Sequence, residues 1–289
     1  MQIITLTSDM ELRDYYVSSL KVSILKQCKN PIHLLDVSHF ITPFDVAEAG
    51  FVLGQAYHDY PDGTIHLMCL EAEPVVNFGN SEGSFPSVMV LNNQYFIGVD
   101  NGFFGVLERF GTVNAFYRIE EALSSPKNYT FPAKNLLAPY ACRLANGEKI
   151  EDFAVPHSTY KKALSVVPNI EKDLILGSVI YFDSMGNAVT NIDKELFEKV
   201  GKDAPFIIKF RDKTIYEIDK ISTSYNDVPH GEKMAIFNER GLLEIAINKG
   251  ANRTTIGAQK LLGISKNDIV RVDFSPRGSK DSLNDLFKL

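Results

Sequence analysis

The first 70 residues alternate between extended and helical patterns, and this alternation limits the fold more than any other feature. Residues 3–9 are a short apolar, β-branched run, and the following residues keep a helical period through Leu12, Tyr16, Leu20 and Ile24, with Val17 beside them. Residues 32–37 and 64–70 predict two more strands, with a helix over 44–60 between them. Strands that alternate with helices in this way are typical of an α/β domain built on a parallel sheet.

The chain after residue 70 predicts strand pairing of another kind. Residues 75–86 predict a long loop, because glycine and proline break any regular element there. The further predictions for this half are paired strands over 87–91 and 95–99, a turn over 100–102, a strand over 113–119 and a helix over 135–144 despite Pro139.

The pattern weakens over residues 151–173, where we place a domain boundary. The prediction is an N-terminal α/β, Rossmann-like domain over residues 1–160 and a smaller C-terminal domain over 174–289. Short strands separated by Gly, Asn and Asp predict an antiparallel β-barrel or sandwich in the second domain. These strands are expected at 177–182, 206–210, 214–218, 233–238, 242–247 and 269–274. The polar tail from residue 275 has a late amphipathic stretch, for which disorder and packing on a neighbour both stay open.

Composition excludes several classes of function. The chain has 289 residues, 45% of them hydrophobic, which is enough for a sizeable core, and its net charge is -6 without a basic patch, so we expect no nucleic-acid partner. No apolar run reaches the roughly 20 residues needed to cross a bilayer, and a signal-peptide pattern is lacking, so the expectation is no membrane and a cytoplasmic location. The three cysteines are far apart and fit small buried residues better than disulfides or a zinc site.

Two acidic residues near the end of the first predicted strand are candidates on position alone. Asp9 ends the first predicted strand, where α/β sheets bind ligands, and Asp14 lies close by on the expected first helical turn. A carboxylate at Asp9 could accept hydrogen bonds from a ligand hydroxyl, but its position alone favours a helix N-cap.

The histidines predict no catalytic or metal centre. Asp36, Ser38 and His39 are too close in sequence to form a catalytic triad, so we interpret His39 as a structural loop residue. His66 lies inside the third predicted strand and is expected to be a core histidine with satisfied hydrogen bonds. The six histidines lack the spacing of metal ligands, so no metal is predicted.

A series of short motifs, in order along the chain, resembles one family. The N-terminal motifs are Thr7-Ser8-Asp9, Leu12-Arg13-Asp14, Asp36-Val37-Ser38-His39, Thr42-Pro43-Phe44-Asp45, Pro61-Asp62-Gly63-Thr64 and Val99-Asp100-Asn101-Gly102. The C-terminal motifs are Tyr181-Phe182-Asp183, Gly186-Asn187, Thr190-Asn191-Ile192, Ser224-Tyr225-Asn226-Asp227, Asn238-Glu239-Arg240-Gly241 and Leu243-Glu244-Ile245-Ala246. Together they resemble the S-adenosylmethionine hydroxide adenosyltransferases, a family that also holds S-adenosylmethionine-dependent chlorinases and fluorinases.

The resemblance implies an architecture and a reaction. The architecture is an N-terminal α/β domain, a C-terminal β-barrel and a homotrimer, with the substrate between one subunit's N-terminal domain and a neighbour's C-terminal domain. The reaction is displacement at the ribose C5′ carbon of S-adenosylmethionine by water or, in the halogenases, a halide. S-adenosylmethionine is then substrate or ligand, and no cofactor is expected.

The resemblance also implies roles for individual residues. Asp9 would accept both ribose hydroxyls, Asp14 and Asp183 would meet the methionine ammonium, and Arg240 its carboxylate. Asn187 would bind the adenine edge, and Tyr225 would stack on the purine. The alternatives are ordinary ones: Asp183 and Asn187 could be turn residues, Tyr225 could be core and Arg240 a solvated charge.

The chain departs from the family at the water-activating positions. A Val-Asp-Pro-Gly-Val-Gly segment after the third strand is replaced by Leu70-Glu71-Ala72-Glu73-Pro74-Val75, and no arginine lies between Arg13 and Arg109. A His-Gly-Arg-Asp segment is replaced by Pro132-Ala133-Lys134-Asn135. Glu71, or Glu73, would then be the surviving polar group near the nucleophile.

Three hypotheses follow from the sequence. The first is an S-adenosylmethionine hydrolase with weak activity that forms adenosine and methionine, with Glu71 as its catalytic residue. The second is a protein that binds S-adenosylmethionine or adenosine without turnover. The third is a family member that uses another nucleophile, such as a halide.

Overall fold

The structure is a computed structural model, and it describes residues 2–75, 83–123, 129–162, 167–210, 216–251 and 257–274. Contacts between residues divide the chain into two units, residues 1–165 and 166–289.

Unit 1 contains a seven-stranded mixed sheet. Its strands are β1 (Gln2–Thr7), β2 (Ile32–Ser38), β3 (Ile65–Met68), β4 (Pro86–Leu91), β5 (Gln94–Val99), β6 (Val113–Arg118) and β7 (Val155–Pro156). They lie in the order β2-β1-β3-β5-β4-β6-β7. The pairs β1–β2, β1–β3 and β3–β5 are parallel, whereas β4 runs antiparallel to β5 and β6. The carboxyl ends of β1, β2, β3 and β5 therefore meet at one edge of the sheet.

Helices cover both faces of this sheet. They are α1 (Tyr16–Gln27), α2 (Val46–Ala56), α3 (Phe103–Leu107) and α4 (Ala138–Ala145). Side chains of α1 and α4 share one buried cluster with Ile4 and Leu6 of β1. Side chains of α2 and α3 share another with Phe96 of β5. The N-terminal α/β domain predicted from the sequence is confirmed, and its helices and sheet form three layers.

Two local predictions in unit 1 are confirmed with a clear physical cause. The hairpin between β4 and β5 turns through Asn92 and Asn93, whose φ angles of 44° and 61° lie in the left-handed region that asparagine tolerates. Helix α4 accommodates Pro139 in its first turn, where a backbone N–H has no partner within the helix.

The predicted buried stripe of the first helix is partly wrong. Leu12 lies before the helix and is 59% exposed, and Tyr16 is 38% exposed. Glu11 has a φ of 53° and donates its backbone N–H to the carbonyl of His39, at 2.7 Å. Because this contact holds the chain in a turn, α1 begins only at Tyr16. The rest of the predicted stripe, Val17, Leu20 and Ile24, is buried as expected.

Unit 2 contains a nine-stranded sheet that is nearly barrel-shaped. Its strands are β8 (Asn169–Glu171), β9 (Leu174–Phe182), β10 (Ala188–Asp193), β11 (Phe206–Lys209), β12 (Glu217–Ile218), β13 (Ile221–Ser222), β14 (Lys233–Phe237), β15 (Leu242–Ile247) and β16 (Ile269–Phe274). Eight of them lie in the order β12-β11-β16-β9-β10-β15-β14-β13, and β8 pairs with β9. The pairs are antiparallel except β13–β14, and β12 also contacts β14. The barrel-like second domain is confirmed.

Unit 2 also has helices that the sequence analysis did not predict, α5 (Lys194–Gly201) and α6 (Gly257–Leu261). Helix α5 carries a recognisable start signal, because the Asp193 carboxylate accepts the backbone N–H of Leu196 at 2.7 Å. Phe197 of α5 is buried in the core of unit 2.

Some predictions fall on residues outside the described part of the chain. They are most of the loop over 75–86, the first residues of the strand over 214–218 and the tail from residue 275. Within the described residues, no helix is both long and apolar enough to cross a bilayer.

Candidate functional site

The carboxyl edge of the unit 1 sheet collects polar residues and strained backbone. Asp9 follows β1, His39 follows β2, and Glu71 and Asp100 follow β3 and β5. Three non-glycine residues near these strand ends have left-handed backbones: Glu11, Phe44 and Glu71, with φ angles of 53°, 64° and 39°. Each such residue costs on the order of 1–3 kcal/mol, and strain of this kind clusters at functional sites.

Asp9 has one carboxylate oxygen fixed and one available. Its Oδ2 accepts the backbone N–H of Phe44 at 3.1 Å. Within the described residues Oδ1 has no hydrogen-bond partner, and the side chain is half-buried. Asp9 is not a helix N-cap, since α1 begins seven residues later with Tyr15 in that position.

Asp14 and Glu71 are both exposed. Asp14 lies in the bend before α1. The prediction that it belongs to the first turn of this helix is therefore wrong. Glu71 makes no hydrogen bond or ion pair to the described residues, and its left-handed backbone sets the direction of the chain just after β3.

The segment that replaces the family's His-Gly-Arg-Asp motif packs against α1. Ala133 begins a π-helical turn over Ala133–Leu137 and is buried. The Lys134 ammonium donates to Ser19 Oγ of α1 at 2.8 Å. Lys134 therefore has a structural partner of its own.

His39 and His66 are both buried, as expected of structural residues. His66 contacts Thr5 Oγ1 and Gln94 Oε1, each at 2.7 Å, and burial lowers its pKa to about 4. His39 Nδ1 lies 2.6 Å from Ser8 Oγ, so its hydroxyl partner is Ser8 rather than Ser38.

Asp100 was predicted to lie in a turn and belongs to one of the family motifs, but no site role was predicted for it, and it is a buried carboxylate at the carboxyl edge. It is 1% exposed and accepts the backbone N–H of Lys161 at 2.9 Å. Burial raises the pKa of Asp100, against the opposing charges of Lys161, Arg118 and His157. An acidic residue directly after a buried strand was the signal that could have identified it.

Arg118, at the end of β6, adds a cation to this region. Its guanidinium lies 4.7 Å from the centre of the Phe85 ring. Its Nε is buried without a hydrogen-bond partner in the described part of the chain. Sequence spacing did not indicate it, because it lies far along the chain from the other residues of this edge.

In unit 2, the structure brings Asp183 and Asn187 together in one tight turn after β9. Asp183 Oδ1 accepts the backbone N–H groups of Met185 and Asn187, at 2.9 and 2.8 Å. Asp183 Oδ2 accepts the Asn187 side-chain amide at 2.9 Å. The two residues therefore do shape the turn, which was the ordinary alternative, while Asn187 Oδ1 keeps no partner among the described residues.

Tyr225 belongs to the same region of unit 2. Its ring is 42% exposed, so it is not a core residue. Its hydroxyl donates to Glu244 Oε1 at 2.8 Å. Burial, the bond to Glu244 and the nearby Asp183 charge together raise the pKa of the Tyr225 phenol.

Glu244 was quoted in a motif but not identified as a site residue. It is 3% exposed in the middle of β15, and burial raises its pKa, with the Asp183 charge adding to this and the Tyr225 hydrogen bond opposing it. A charged residue inside the apolar run of residues 242–247 was the available signal.

Arg240 is separated from this group. It lies in the turn between β14 and β15 and is half-buried. Leu242, next to that turn, pairs with Asp193 at the far end of β10, whereas Ile245 pairs with Ala188 beside Asn187. The structure thus groups Asp183, Asn187 and Tyr225 and places the Arg240 backbone at the other end of β15.

The described residues contain no cluster of three or more potential metal ligands from His, Cys, Asp and Glu. The group in unit 1 consists of carboxylates at strand ends, which suit hydroxyl donors and a positive charge. The group in unit 2 consists of an amide, a phenol and two carboxylates, which suit a planar ring and a positive charge.

Comparison with known proteins identifies the class to which this arrangement belongs. Residues 4–154 match the N-terminal domain of the SAM hydroxide adenosyltransferases, and residues 177–271 match the C-terminal domain of the same family. The chain belongs to the SAM hydroxide adenosyltransferase family.

Individual relatives span nearly the whole chain. It is 25% identical to an (R)-S-adenosyl-L-methionine hydrolase of Thermus thermophilus, over 90% of this chain and 97% of that one. It is 26% identical to the enzyme of the same name from Methanocaldococcus jannaschii, over 94% and 96%. Among solved structures, an uncharacterized conserved protein from Thermotoga maritima matches with a TM-score of 0.79 and 28% identity, over 94% of this chain and all of that one.

Proposed function

We propose that this protein binds S-adenosylmethionine and hydrolyses it slowly to adenosine and methionine. The observation that carries the proposal is Asp9, a half-buried carboxylate at the carboxyl edge with one oxygen held by Phe44 and the other available. The family membership and the hydrolase names of the relatives support the reaction.

In unit 1, the proposal assigns the ribose to Asp9. A carboxylate can accept hydrogen bonds from both hydroxyls of a diol, and bonds to a charged acceptor are stronger than neutral ones. The contact from Phe44 orients the carboxylate without using all of its acceptor capacity. Asp14, exposed in the bend before α1, would meet the methionine ammonium.

In unit 2, the proposal assigns the adenine to Asn187 and Tyr225. The Asn187 amide is oriented by Asp183, and the partly exposed Tyr225 ring is anchored through its hydroxyl. An oriented amide and a fixed aromatic face are what recognition of a purine needs. Asp183 would also meet the methionine ammonium. Arg240 is assigned to the methionine carboxylate by the family resemblance alone, since its backbone lies at the other end of β15.

The reaction itself needs little from the protein. The water oxygen attacks C5′ as the C5′–S bond breaks, the electron pair of that bond passes to sulfur, and methionine leaves as a neutral thioether. The proton released by the water passes to a base or to solvent. The protein must therefore hold the water in line with the C–S bond and accept a proton.

Slow turnover is part of the proposal because few groups of this chain could position the water and accept its proton. A positioned base contributes roughly 10²–10⁴-fold to such a step. Lys134, at the family's histidine segment, is bonded to Ser19. The remaining candidates are Glu71 and Glu73, both exposed and without a partner in the described chain. The proposal takes Glu71 as the base, because it replaces the aspartate of the family segment.

The test is adenosine release from the (R) and (S) sulfonium epimers of S-adenosylmethionine, since the relatives are named for the (R) form. We expect slow release that is abolished by Glu71→Gln and kept by Glu73→Gln, a matched change two residues away. Release that survives both changes would remove Glu71 as the base. Binding of either epimer without any release would favour the alternative of a non-catalytic binding protein, and a 5′-halo nucleoside formed in the presence of halide would favour another nucleophile.

A homotrimer in the cytoplasm is a further part of the proposal. Five large apolar side chains are exposed near the carboxyl edge of unit 1, and such a group on a surface marks an interaction site. They are Leu12, Tyr15, Tyr16, Phe40 and Phe44. Light scattering of the purified protein should give three times the chain mass. Phe40→Lys should lower the measured mass. Val22→Lys, which changes an exposed residue of α1, should leave the mass unchanged.

A further inference from the structure

His39 contacts the residues on either side of Asp9 along the chain, Ser8 before it and Glu11 after it. Its Nδ1 lies 2.6 Å from the Oγ of Ser8, and its carbonyl accepts the backbone N–H of Glu11 at 2.7 Å. The neighbouring Ser38 carbonyl accepts the N–H of Ser8 at 2.9 Å. The loop that carries Asp9 is therefore attached at its two ends to the segment that follows β2.

His39 is itself held from the other side. The residue is 3% exposed, and its Nε2 lies 3.0 Å from Asp36 Oδ1 without the alignment of a hydrogen bond. Asp36 Oδ2 in turn lies 2.5 Å from the Lys21 ammonium of α1. Burial would raise the pKa of Asp36, but the contacts with Lys21 and His39 outweigh burial and hold that pKa below its usual range.

This chain of Ser8, His39 and Asp36 has the residue types of a catalytic triad but not its accessibility. Ser8 is fully buried, and its Oγ also accepts the backbone N–H of Met10 at 3.3 Å. A nucleophile must reach the substrate, and a buried hydroxyl engaged on two sides cannot. The arrangement therefore orients backbone rather than performing covalent chemistry.

We propose that His39 is a positioning residue that fixes the Asp9 loop, so that the Asp9 carboxylate presents its available oxygen to a vicinal diol. The inference rests on the proposed function, since it takes the ribose diol as the ligand group of Asp9. It predicts that His39 determines affinity for the two hydroxyls and not for the rest of the nucleoside.

The experiment compares two probes by calorimetry: adenosine and 2′,3′-dideoxyadenosine, which lacks both hydroxyls. Each is titrated into the full-length protein and into His39→Ala, with His33→Ala as the matched control, because His33 is an exposed histidine of β2, the strand that His39 follows. We expect His39→Ala to weaken adenosine binding about tenfold or more, as loss of charge-assisted bonds does. Dideoxyadenosine binding should change less than about twofold, and His33→Ala should match the unchanged protein.

Ser8→Ala is a second variant that removes only the hydroxyl contacted by His39. Like His39→Ala, it should lower the affinity for adenosine relative to the affinity for dideoxyadenosine. If His39→Ala does not fold, Ser8→Ala alone tests the proposal. An unchanged ratio in Ser8→Ala and His39→Ala, or an equal loss for both probes, would overturn the positioning role while leaving the proposed function in place. If the unchanged protein binds neither probe, the proposed function fails, and the positioning role with it.

Discussion

The hydroxyl of Tyr225 donates a 2.8 Å hydrogen bond to Oε1 of Glu244, a carboxylate only 3% exposed in the middle of β15. This bond connects a partly exposed aromatic ring to the interior of unit 2. It fixes the ring at its hydroxyl end, while the residue stays 42% exposed. Variants at this pair can therefore separate two contributions, the stability from the buried bond and the proposed binding of a purine by the ring.

The first prediction separates these contributions at Tyr225. Tyr225→Phe should lower the free energy of unfolding by roughly 1–3 kcal/mol, because it leaves a buried acceptor unpaired. It should barely change adenosine affinity, since the ring remains. Tyr225→Leu should weaken adenosine binding by roughly 1–3 kcal/mol, the usual contribution of stacking between a base and an aromatic side chain.

Chemical denaturation and calorimetry on the two variants give the measurements. In Tyr225→Phe combined with Glu244→Met, both polar partners are replaced, so much of the stability lost in the single variant should return. Equal adenosine affinities for Tyr225→Leu and Tyr225→Phe would exclude stacking.

The second prediction concerns the two acidic residues near the end of β1. Asp9→Ala should reduce adenosine affinity, because a diol held by one carboxylate loses two charge-assisted bonds worth roughly 1.5–3 kcal/mol each. Asp14→Ala should leave the affinity for adenosine nearly unchanged, since adenosine lacks the methionine ammonium. Asp9→Asn removes the negative charge but keeps the side-chain shape and an oxygen that can accept the Phe44 N–H. It therefore measures the contribution of the charge to adenosine binding. Equal losses for Asp9→Ala and Asp14→Ala would contradict the assignment.

The third prediction is a stability loss in mild acid that originates at His66. Its pKa is about 4 in the folded protein, against about 6.5 when unfolded. The unfolded chain thus binds more protons between these values, so stability is fully present above about pH 6.5 and falls as the pH decreases towards 4. The difference corresponds to about 3 kcal/mol.

Denaturation of the unchanged protein and of His66→Gln at pH 7.5 and 5 measures this contribution. The glutamine variant should show a smaller loss between the two pH values, with exposed His33→Gln as the control. The same slope in both proteins would show that other groups dominate the acid response.

The fourth prediction concerns Gly257, which lies against the turn that holds Asp183 and Asn187. It has a φ of 41°, and a Cβ there would lie 2.2 Å from the carbonyl oxygen of Met185. Gly231 is also left-handed, at 84°, but a Cβ there meets nothing within 4 Å. Gly231→Ala should therefore cost about 1–2 kcal/mol of stability from backbone strain alone.

Gly257→Ala should cost more than that and should also weaken adenosine binding, because the Met185 carbonyl has to move. Thermal unfolding and calorimetry on the two variants provide the comparison. If Gly257→Ala and Gly231→Ala had equal effects on adenosine binding, the turn at Asp183 would not be a structure that orients a ligand group.

The sequence alone determined the local elements and the class of fold. The apolar runs of β1, β2 and β3, the Asn92-Asn93 hairpin and α4 with Pro139 each follow from short-range rules of period, turn chemistry and capping. The same rules missed α5, although the cap at Asp193 marks its start. They also extended the buried stripe of α1 back to Leu12, because periodicity does not register a competing contact such as the one from Glu11 to His39.

Only the tertiary structure decided which distant residues meet. Parallel pairing of β1 with β2 and of β3 with β5 brings Asp9, His39, Glu71 and Asp100 to one edge, although they are spread over 92 positions from residue 9 to residue 100. The contact between Ser8 and His39 and the burial of Glu244 depend on strand register, which local preference does not set. Sequence motifs therefore indicated the chemistry of the site, and the packing of strands and loops determined which residues hold its groups in place.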